Sequence, residues 1–348
     1  MTLTMESDAV LKVEDLRVYF KQDQGTVRAV DGVSFTVYRG KVLGIIGESG
    51  CGKSVTVHTV MRLLPSPPAQ IVGGRILYDP GNGKAPLDLA ALPPKGKEMR
   101  NIRGREIGMI FQEPMTAFSP VHTIGNQLVE AIRVHEPNVS KEDAEARIQE
   151  LLKRVDLHQT DRVMKAYPHQ LSGGMRQRAM IAMALACSPK LLIADEPTTA
   201  LDVTIQAQIL ELLLELQEEM GMAIIFITHD LAVVSEIADD VAVMYLGRVV
   251  EYGSKRQIFS GPRHPYTQAL MRSVPRLDGE LTRLEPIRGS VPSPYELPRG
   301  CPFHPRCEFA MAGTCDVEPP SLKDVGDGHL VSCYLYDQSW DNVASDQG

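Results

Sequence analysis

The sequence lacks any apolar run long enough to cross a membrane, and it lacks an excess of basic charge. No stretch approaches the roughly 18 consecutive apolar residues that a membrane-spanning helix needs. Lysine and arginine total 36 against 44 aspartate and glutamate residues, which gives a formal net charge of -8. Because nucleic-acid binding rests on a concentrated basic face, these absences argue against a membrane-spanning protein and against a nucleic-acid-binding protein.

Targeting, repeat and disulfide signals are also missing. The first ten residues, MTLTMESDAV, contain no basic segment followed by an apolar run, so we expect the chain to stay in the cytoplasm. There is no internal repeat and no low-complexity tract. The six cysteines do not form the pattern of a small secreted disulfide protein, because two stand alone, at Cys51 and Cys187. The other four crowd the C-terminal end and indicate a metal site: Cys301, Cys307, Cys315 and Cys333.

The hydrophobic pattern predicts an α/β fold. Short runs rich in valine and isoleucine read as strands buried on both faces of a mostly parallel sheet, at 41–47, 106–112, 190–196 and 223–229. Residues 11–40 alternate apolar and polar positions like an antiparallel edge sheet, and residues 239–253 are typical of a hairpin. Apolar residues recur at helical spacing from Asn126 to about Arg162, and Ser140 and Asp143 within this range form an S-x-x-D helix start signal. This pattern predicts an inserted helical subdomain. Residues 201–220 predict an amphipathic helix packed on the sheet rather than a partner zipper.

A glycine-rich segment, GESGCGKS from Gly47 to Ser54, stands between a predicted strand and a predicted helix. It fits the G-x-x-x-x-G-K-[ST] motif of the P-loop in the context that the motif requires. Backbone N–H groups of such a loop wrap phosphates, Lys53 would reach the β- and γ-phosphates, and Ser54 would ligate magnesium. The alternative is a plain glycine-rich turn.

Two adjacent carboxylates end the predicted strand LLIAD, at Asp195 and Glu196. Nucleotides bind at the carboxyl edge of parallel sheets, so Asp195 would hold magnesium and Glu196 would be the general base for an attacking water. Paired acids after a strand can also simply cap the next helix.

The segment LSGGMRQ at 171–177 decides between these readings. Together with the P-loop, the Asp195–Glu196 pair, Gln112, TALD at 199–202 and His229, it resembles the ABC ATPase family over roughly residues 10–255. The resemblance implies a P-loop NTPase (RecA-like) core, an antiparallel β subdomain, an inserted helical subdomain at about 114–170, and a C-terminal cysteine-rich extension. It places the ATPase domain at 1–260 and the extension at 261–348.

The resemblance also assigns roles to individual residues. Gln112 would sense the γ-phosphate, bind magnesium and act in catalysis with Glu196 and His229, although a lone histidine at a strand end is often only structural. Phe20, or the adjacent Tyr19, would stack on adenine. Asp202 would lie at the dimer seam. The residues that would bind ATP, the last three in the opposite subunit of a nucleotide-sandwich dimer, are Phe20, Gly47, Ser49, Gly50, Cys51, Gly52, Lys53, Ser54, Val55, Ser172, Gly173 and Gly174.

Three further segments narrow the subfamily: FQEPMTAFSP at 111–120, HPYTQAL at 264–270 and the C-terminal cysteines. They resemble the oligopeptide, dipeptide and nickel importer ATPases, and LSGGMRQR with Met175 is similar to the D-type member of their paired ATPases. This implies a second, F-type ATPase subunit, two transmembrane permease subunits, an extracytoplasmic substrate-binding protein and a location at the cytoplasmic face of the inner membrane. Peptides are the favoured substrates, and oligosaccharides and nickel complexes are the alternatives.

The four C-terminal cysteines are separated by five, seven and seventeen residues, which is not the spacing of a zinc ribbon. In the family that the chain resembles, this arrangement is associated with a 4Fe-4S cluster, for which four thiolates are a regular ligand set. Zinc and unliganded thiols remain the alternatives. The implied cofactors are therefore ATP, Mg²⁺ and a 4Fe-4S cluster.

Two other classes of function predict features that the sequence does not show. A soluble ABC protein of translation or DNA repair would carry a second ATPase core or a long inserted coiled coil. A non-hydrolysing regulatory subunit would be expected to lose Glu196 or His229, and both are present. The sequence therefore favours an ATPase that drives transport.

Overall fold

The computed structural model describes residues 5–199, 201–273 and 287–337. Its strands, in chain order, are β1 (Ala9–Gln22), β2 (Gly25–Tyr38), β3 (Val42–Ile46), β4 (Ala69–Tyr78), β5 (Leu87–Asp88), β6 (Ile107–Ile110), β7 (Leu191–Asp195), β8 (Ala223–Ile227), β9 (Asp240–Tyr245), β10 (Arg248–Ser254), β11 (Lys323–Asp324) and β12 (Leu330–Val331). Its helices are α1 (Lys53–Val60), α2 (Lys97–Ile102), α3 (Pro114–Ala117), α4 (Ile124–His135), α5 (Lys141–Arg154), α6 (Thr160–Lys165), α7 (Gly173–Leu185), α8 (Val203–Met220), α9 (Leu231–Ile237), α10 (Lys255–Ser260) and α11 (Pro265–Arg272). Within these described ranges, no helix is both long and apolar enough to span a bilayer.

The central sheet has the strand order β11-β12-β10-β9-β3-β8-β7-β6. Strands β6, β7, β8, β3 and β9 run parallel, and β10 returns antiparallel to β9 as the sequence predicted. All five residues of β3, of β7 and of β8 are buried. Continuous apolar runs form such strands because helices cover both faces of a parallel sheet. The four predicted parallel strands are thus confirmed, and their carboxyl ends form one edge.

A second sheet, with the order β2-β1-β4-β5, is antiparallel throughout. Its alternating residues bury one face against helix α1 and the central sheet, in a core that includes Val18, Val33, Val57 and Ile225. This is the antiparallel region that the sequence predicted. It carries the β1–β2 hairpin past the first turn of α1.

The predicted helical subdomain corresponds to α4, α5 and α6. Ser140 caps α5, because its Oγ accepts a hydrogen bond from the Asp143 backbone N–H at 3.0 Å. The buried faces of these helices pack with α7 and α8 in a core that includes Leu128, Ile148, Ile181 and Leu213. Helix α8 lies on the sheet as expected, with Ile209 and Leu213 in the same core as Leu192 of β7.

The chain after residue 260, described at 261–273 and 287–337 and called the C-terminal segment below, continues the central sheet instead of standing apart from it. Strand β12 pairs with β10, and β11 pairs with β12. The fully buried Glu251 of β10 accepts hydrogen bonds from the backbone of Arg263 and His264, and it lies 2.7 Å from His329 Nε2. Apolar residues of this segment, including Tyr266 and Phe303, pack on Val243 of β9. The sheet therefore gives the C-terminal segment a fixed position relative to the nucleotide motifs. The predicted domain boundary at 260/261 remains a prediction.

Candidate functional site

The P-loop connects β3 to α1 and its shape depends on glycine. Gly47 has φ 149° and Gly52 has φ 100°, both in the region that residues with a side chain rarely adopt. A Cβ at Gly47 would collide with the carbonyl oxygen of Met244, and one at Gly52 with that of Ala29. The loop therefore lies directly against the neighbouring backbone and leaves its own N–H groups at the start of α1, where the helix dipole favours an anion.

Lys53 is the first residue of α1 and is only 5% exposed. Its Nζ donates to the carbonyl oxygens of Gly47 at 2.9 Å and Glu48 at 3.3 Å. The ammonium group is thus folded back onto the loop that it follows. The Cys51 sulfur, at 3.9 Å, is a third acceptor. A buried ammonium whose partners are carbonyl oxygens and a thiol, and not a carboxylate, is suited to bind phosphate oxygens at the same place.

Ser54 and Asp195 meet at the carboxyl edge of the central sheet. Ser54 Oγ donates to Asp195 Oδ1 at 2.9 Å, and Asp195 is 2% exposed. His58, one turn along α1, places Nε2 3.3 Å from the other oxygen, Oδ2. A hydroxyl and a carboxylate are the hard oxygen donors that Mg²⁺ prefers, so these two residues fit the predicted magnesium site.

Glu196 lies at the centre of the three predicted catalytic residues. Its Oε2 accepts hydrogen bonds from Gln112 Nε2 at 3.0 Å and Thr199 Oγ1 at 3.1 Å, and His229 Nδ1 is 3.7 Å away. Glu196 has φ 46°, a left-handed backbone conformation that costs energy for a residue with a side chain. The structure brings Gln112, Glu196 and His229 together, and their roles in catalysis remain predictions.

The LSGG residues lie at the start of helix α7, where part of the segment is exposed. Ser172 caps α7, with its Oγ accepting from the Met175 backbone N–H at 3.3 Å, and both Ser172 and Gly173 are exposed. A Cβ on Gly173 would meet only Leu201, at 4.0 Å. A serine and glycines opening an exposed helix offer N–H groups to an outside anion. Their predicted role across a dimer remains a prediction.

Asp202 caps helix α8 by accepting a hydrogen bond from the Ile205 backbone N–H at 3.0 Å. It is exposed, so a role at a dimer seam is sterically open. The neighbouring Ala200 of the TALD segment lies outside the described residues.

The two aromatic residues near the end of β1 have different surroundings. Phe20 is half-buried and packs on the core between the two sheets. Tyr19 donates its hydroxyl to Asp31 Oδ1 at 2.7 Å and lies under the Arg28 guanidinium at 5.7 Å from its ring centroid. Tyr19 also lines a cavity of about 600 Å³ that it shares with residues 294–300. The assignment of Phe20, or of the adjacent Tyr19, as the residue that stacks on adenine remains a prediction.

The four C-terminal cysteines are free thiols that lie near one another. Burial raises the pKa of Cys301 to about 11 and that of Cys333 to about 12, and the neighbouring cysteine thiols add to both shifts. Within residues 5–199, 201–273 and 287–337, however, no group of three or more histidine, cysteine or acidic side chains is arranged to hold a metal ion. The expected 4Fe-4S cluster is therefore not supported, because proximity alone does not point the four sulfurs at one centre.

The site predicted from the sequence does not include three residues that contact its motifs in the structure. His58 touches Asp195, and its position four residues after Ser54, on the same face of α1, is the signal that could have revealed it. Arg306 and Tyr266 both contact Glu48 of the P-loop. No sequence signal links those two to a residue more than 200 positions away.

Comparison with known protein families gives two matches along the chain. The family described as "ABC transporter" matches residues 30–199, and "Oligopeptide/dipeptide transporter, C-terminal region" matches residues 250–315. The first match contains the P-loop and the Asp195–Glu196 pair. The second contains Tyr266 and Arg306.

Individual relatives agree with these matches. The dipeptide transport ATP-binding protein DppD of Bacillus subtilis is 50% identical over 331 residues, covering 95% of this chain and 96% of that protein. The oligopeptide transport ATP-binding protein AppD of the same organism is 48% identical over 329 residues, covering 94% and 97%. Among solved structures, a dimeric post-hydrolysis state of the ATP-binding cassette MJ0796 bound to ADP and Pi superposes with a TM-score of 0.62 at 28% identity, covering 71% of this chain and 99% of that one.

Proposed function

Because the chain belongs to the ABC transporter ATP-binding family, in its oligopeptide and dipeptide transporter branch, we propose that it hydrolyses ATP to drive an importer of peptides. The observation that carries the chemistry is the convergence of Gln112 and His229 on Glu196, beside the Ser54–Asp195 pair. The near full-length identity to dipeptide and oligopeptide transport proteins supports peptides as the cargo.

In the proposed reaction, a water oxygen forms a bond to the γ-phosphorus while the bond to the β–γ bridging oxygen breaks, which releases ADP and phosphate. Glu196 accepts the proton of that water, and Gln112 and His229 orient the carboxylate and the phosphoryl oxygens. Lys53 and the loop N–H groups stabilise charge on the phosphates. Magnesium, which Ser54, Asp195 and Gln112 would hold, neutralises phosphate charge when bound.

The proposed active form is a dimer that binds two nucleotides between its subunits. Ser172 and Gly173 lie exposed, and Gly174 half-buried, at the start of α7, where we expect them to bind the γ-phosphate held by another subunit, with Asp202 at the seam. A dimeric cassette among the similar solved structures supports this arrangement. Similarity to the D-type proteins favours an F-type ATPase as the second subunit.

The proposed partners follow from the family. Two transmembrane permease subunits would hold the ATPase at the cytoplasmic face of the inner membrane, and an extracytoplasmic substrate-binding protein would deliver the cargo. We place the ATPase domain at 1–260, its helical subdomain at about 114–170, and the extension at 261–348. No nucleic-acid partner belongs to this proposal.

Uptake of a panel of labelled solutes tests the proposed cargo. Deleting the gene from the source organism is expected to abolish import of a dipeptide, an oligopeptide or both, and to leave import of a nickel complex and an oligosaccharide unchanged. Plasmid-borne wild-type gene is the control and should restore import. Loss of nickel or oligosaccharide import with peptide import intact would contradict the peptide assignment.

The 4Fe-4S cluster on the four C-terminal cysteines is a finer proposal, on which the ATPase function does not depend. Four cysteine thiolates are a regular ligand set for such a cluster, and ligation would release protons because thiols with raised pKa values are protonated at neutral pH. For protein purified without oxygen, the sequence predicts about four irons and four acid-labile sulfides per chain. Zinc, or no metal at all, would exclude the cluster and leave the ATPase assignment intact.

A further inference from the structure

The C-terminal segment contacts the P-loop directly, at Glu48. The Glu48 carboxylate accepts two hydrogen bonds from the Arg306 guanidinium, with Nη1–Oε2 at 2.7 Å and Nη2–Oε1 at 3.1 Å. The Glu48 backbone N–H donates to the Tyr266 hydroxyl at 2.9 Å. Both the side chain and the main chain of one P-loop residue are therefore fixed by residues of the C-terminal segment.

Arg306 is held rigidly in this position. Its side chain is 4% exposed, Nε donates to the Arg288 carbonyl oxygen at 2.9 Å, and Nη1 also donates to Tyr245 Oη at 3.2 Å. The guanidinium carbon lies 5.8 Å from the Tyr245 ring centroid and 6.0 Å from that of Phe303. Stacking on aromatic rings and a bidentate carboxylate contact are the interactions that a planar guanidinium makes and an ammonium does not. An arginine with this set of partners is built into the structure rather than lying on its surface.

Glu48 connects Arg306 to the phosphate-binding lysine. The Glu48 carbonyl oxygen accepts a hydrogen bond from Lys53 Nζ at 3.3 Å. Glu48 also places a negative charge in the loop that must wrap a polyanion, and its side chain is only 25% exposed. An unpaired carboxylate there would repel the phosphates, because charges near a low-dielectric surface are weakly screened. Arg306 cancels that charge and holds the loop at the same time.

We propose that Arg306 is a positioning residue for ATP binding, acting through Glu48 on the P-loop and on Lys53. The inference rests on the proposed ATPase function and adds a role for the C-terminal segment at the nucleotide site. The segment then does more than extend the sheet, because it supplies the counter-charge that makes an acidic P-loop compatible with ATP.

Equilibrium dialysis of the full-length chain against labelled ATP with Mg²⁺ tests the proposal through a double-mutant cycle. Arg306→Ala is expected to raise the ATP Kd about tenfold, the effect of leaving a charged partner unpaired. Adding Glu48→Gln to Arg306→Ala should recover most of that loss, to within about threefold of wild type, because the unpaired carboxylate is then absent. Arg306→Lys, which keeps the charge but not the fork, should give an intermediate Kd.

Arg272→Ala is the matched control, since Arg272 forms an exposed ion pair with Glu308 at 3.0 Å in the same segment. We expect it to leave the ATP Kd unchanged. A wild-type Kd in Arg306→Ala, or a raised Kd that Glu48→Gln does not lower, would overturn the proposal. If the alanine variant does not fold, the same cycle built on Arg306→Lys decides the question. Failure of the wild-type chain to bind ATP would instead contradict the proposed function.

Discussion

Replacing Glu196 with glutamine is expected to lower the rate of ATP hydrolysis about 100- to 10,000-fold while leaving the ATP Kd close to that of wild type. Glutamine keeps the shape of the side chain and its contacts with Gln112 and Thr199, which lie 3.0 and 3.1 Å away. It removes the ability to accept a proton from water. Because we propose that the P-loop, and not Glu196, holds the substrate phosphates, binding and chemistry should separate in this variant.

Steady-state release of phosphate, together with equilibrium dialysis of labelled ATP, provides the two readouts. Glu211→Gln is the matched control, since Glu211 is an exposed residue of α8, and it should hydrolyse ATP at the wild-type rate. A Glu196→Gln chain that retained more than about a tenth of the wild-type rate would show that another group takes the proton.

Replacing Lys53 with glutamine is expected to weaken ATP binding by about 10- to 150-fold, the equivalent of one lost hydrogen bond to a charged group. Lys53 is 5% exposed, and its ammonium contacts the carbonyl oxygens of Gly47 and Glu48 and, at 3.9 Å, the Cys51 sulfur. None of these three partners is a carboxylate, so none of them neutralises its positive charge before the phosphates arrive. Glutamine can replace the hydrogen bonds to the loop but not the charge.

The ATP Kd of the Lys53→Gln chain, measured by dialysis with Mg²⁺ present, checks this prediction. Lys84→Gln serves as the control because Lys84 is exposed in the loop between β4 and β5, and its Kd should match wild type. Thermal unfolding should show that Lys53→Gln is folded. An unchanged Kd in a folded Lys53→Gln chain would place the phosphates somewhere other than this loop.

Much of the central sheet could be predicted because both faces of its strands lie in an apolar environment. Residues of β3, β7 and β8 are buried on both faces, so their sequences are unbroken apolar runs bounded by polar residues. Gln112, Glu196 and His229 each follow such a strand, at the end where parallel strands share an edge. The edge brings them together whatever the intervening chain does. The structure accordingly places these three residues close together, and their catalytic roles stay a prediction.

Contacts of the C-terminal segment could not be predicted in the same way. Arg306 and Glu48 are separated by 258 positions, and Arg306 ends a three-residue 3₁₀ turn, His304–Arg306. A turn that short carries no periodic signal. For the cysteines, family resemblance implied a ligand set that the arrangement of the described side chains does not support, so the cluster stays a proposal. Spacing along a chain does not determine where thiol groups point.

The most direct test of the central claim joins the chemistry of Glu196 to transport. In a strain that lacks the gene, labelled peptide uptake is measured after introducing either the wild-type gene or the Glu196→Gln gene, with both proteins expressed to equal levels. The account predicts that the wild-type gene restores uptake and that the Glu196→Gln gene leaves it at the level of the empty vector. Equal restoration by both genes would contradict the claim that ATP hydrolysis at this site drives peptide import.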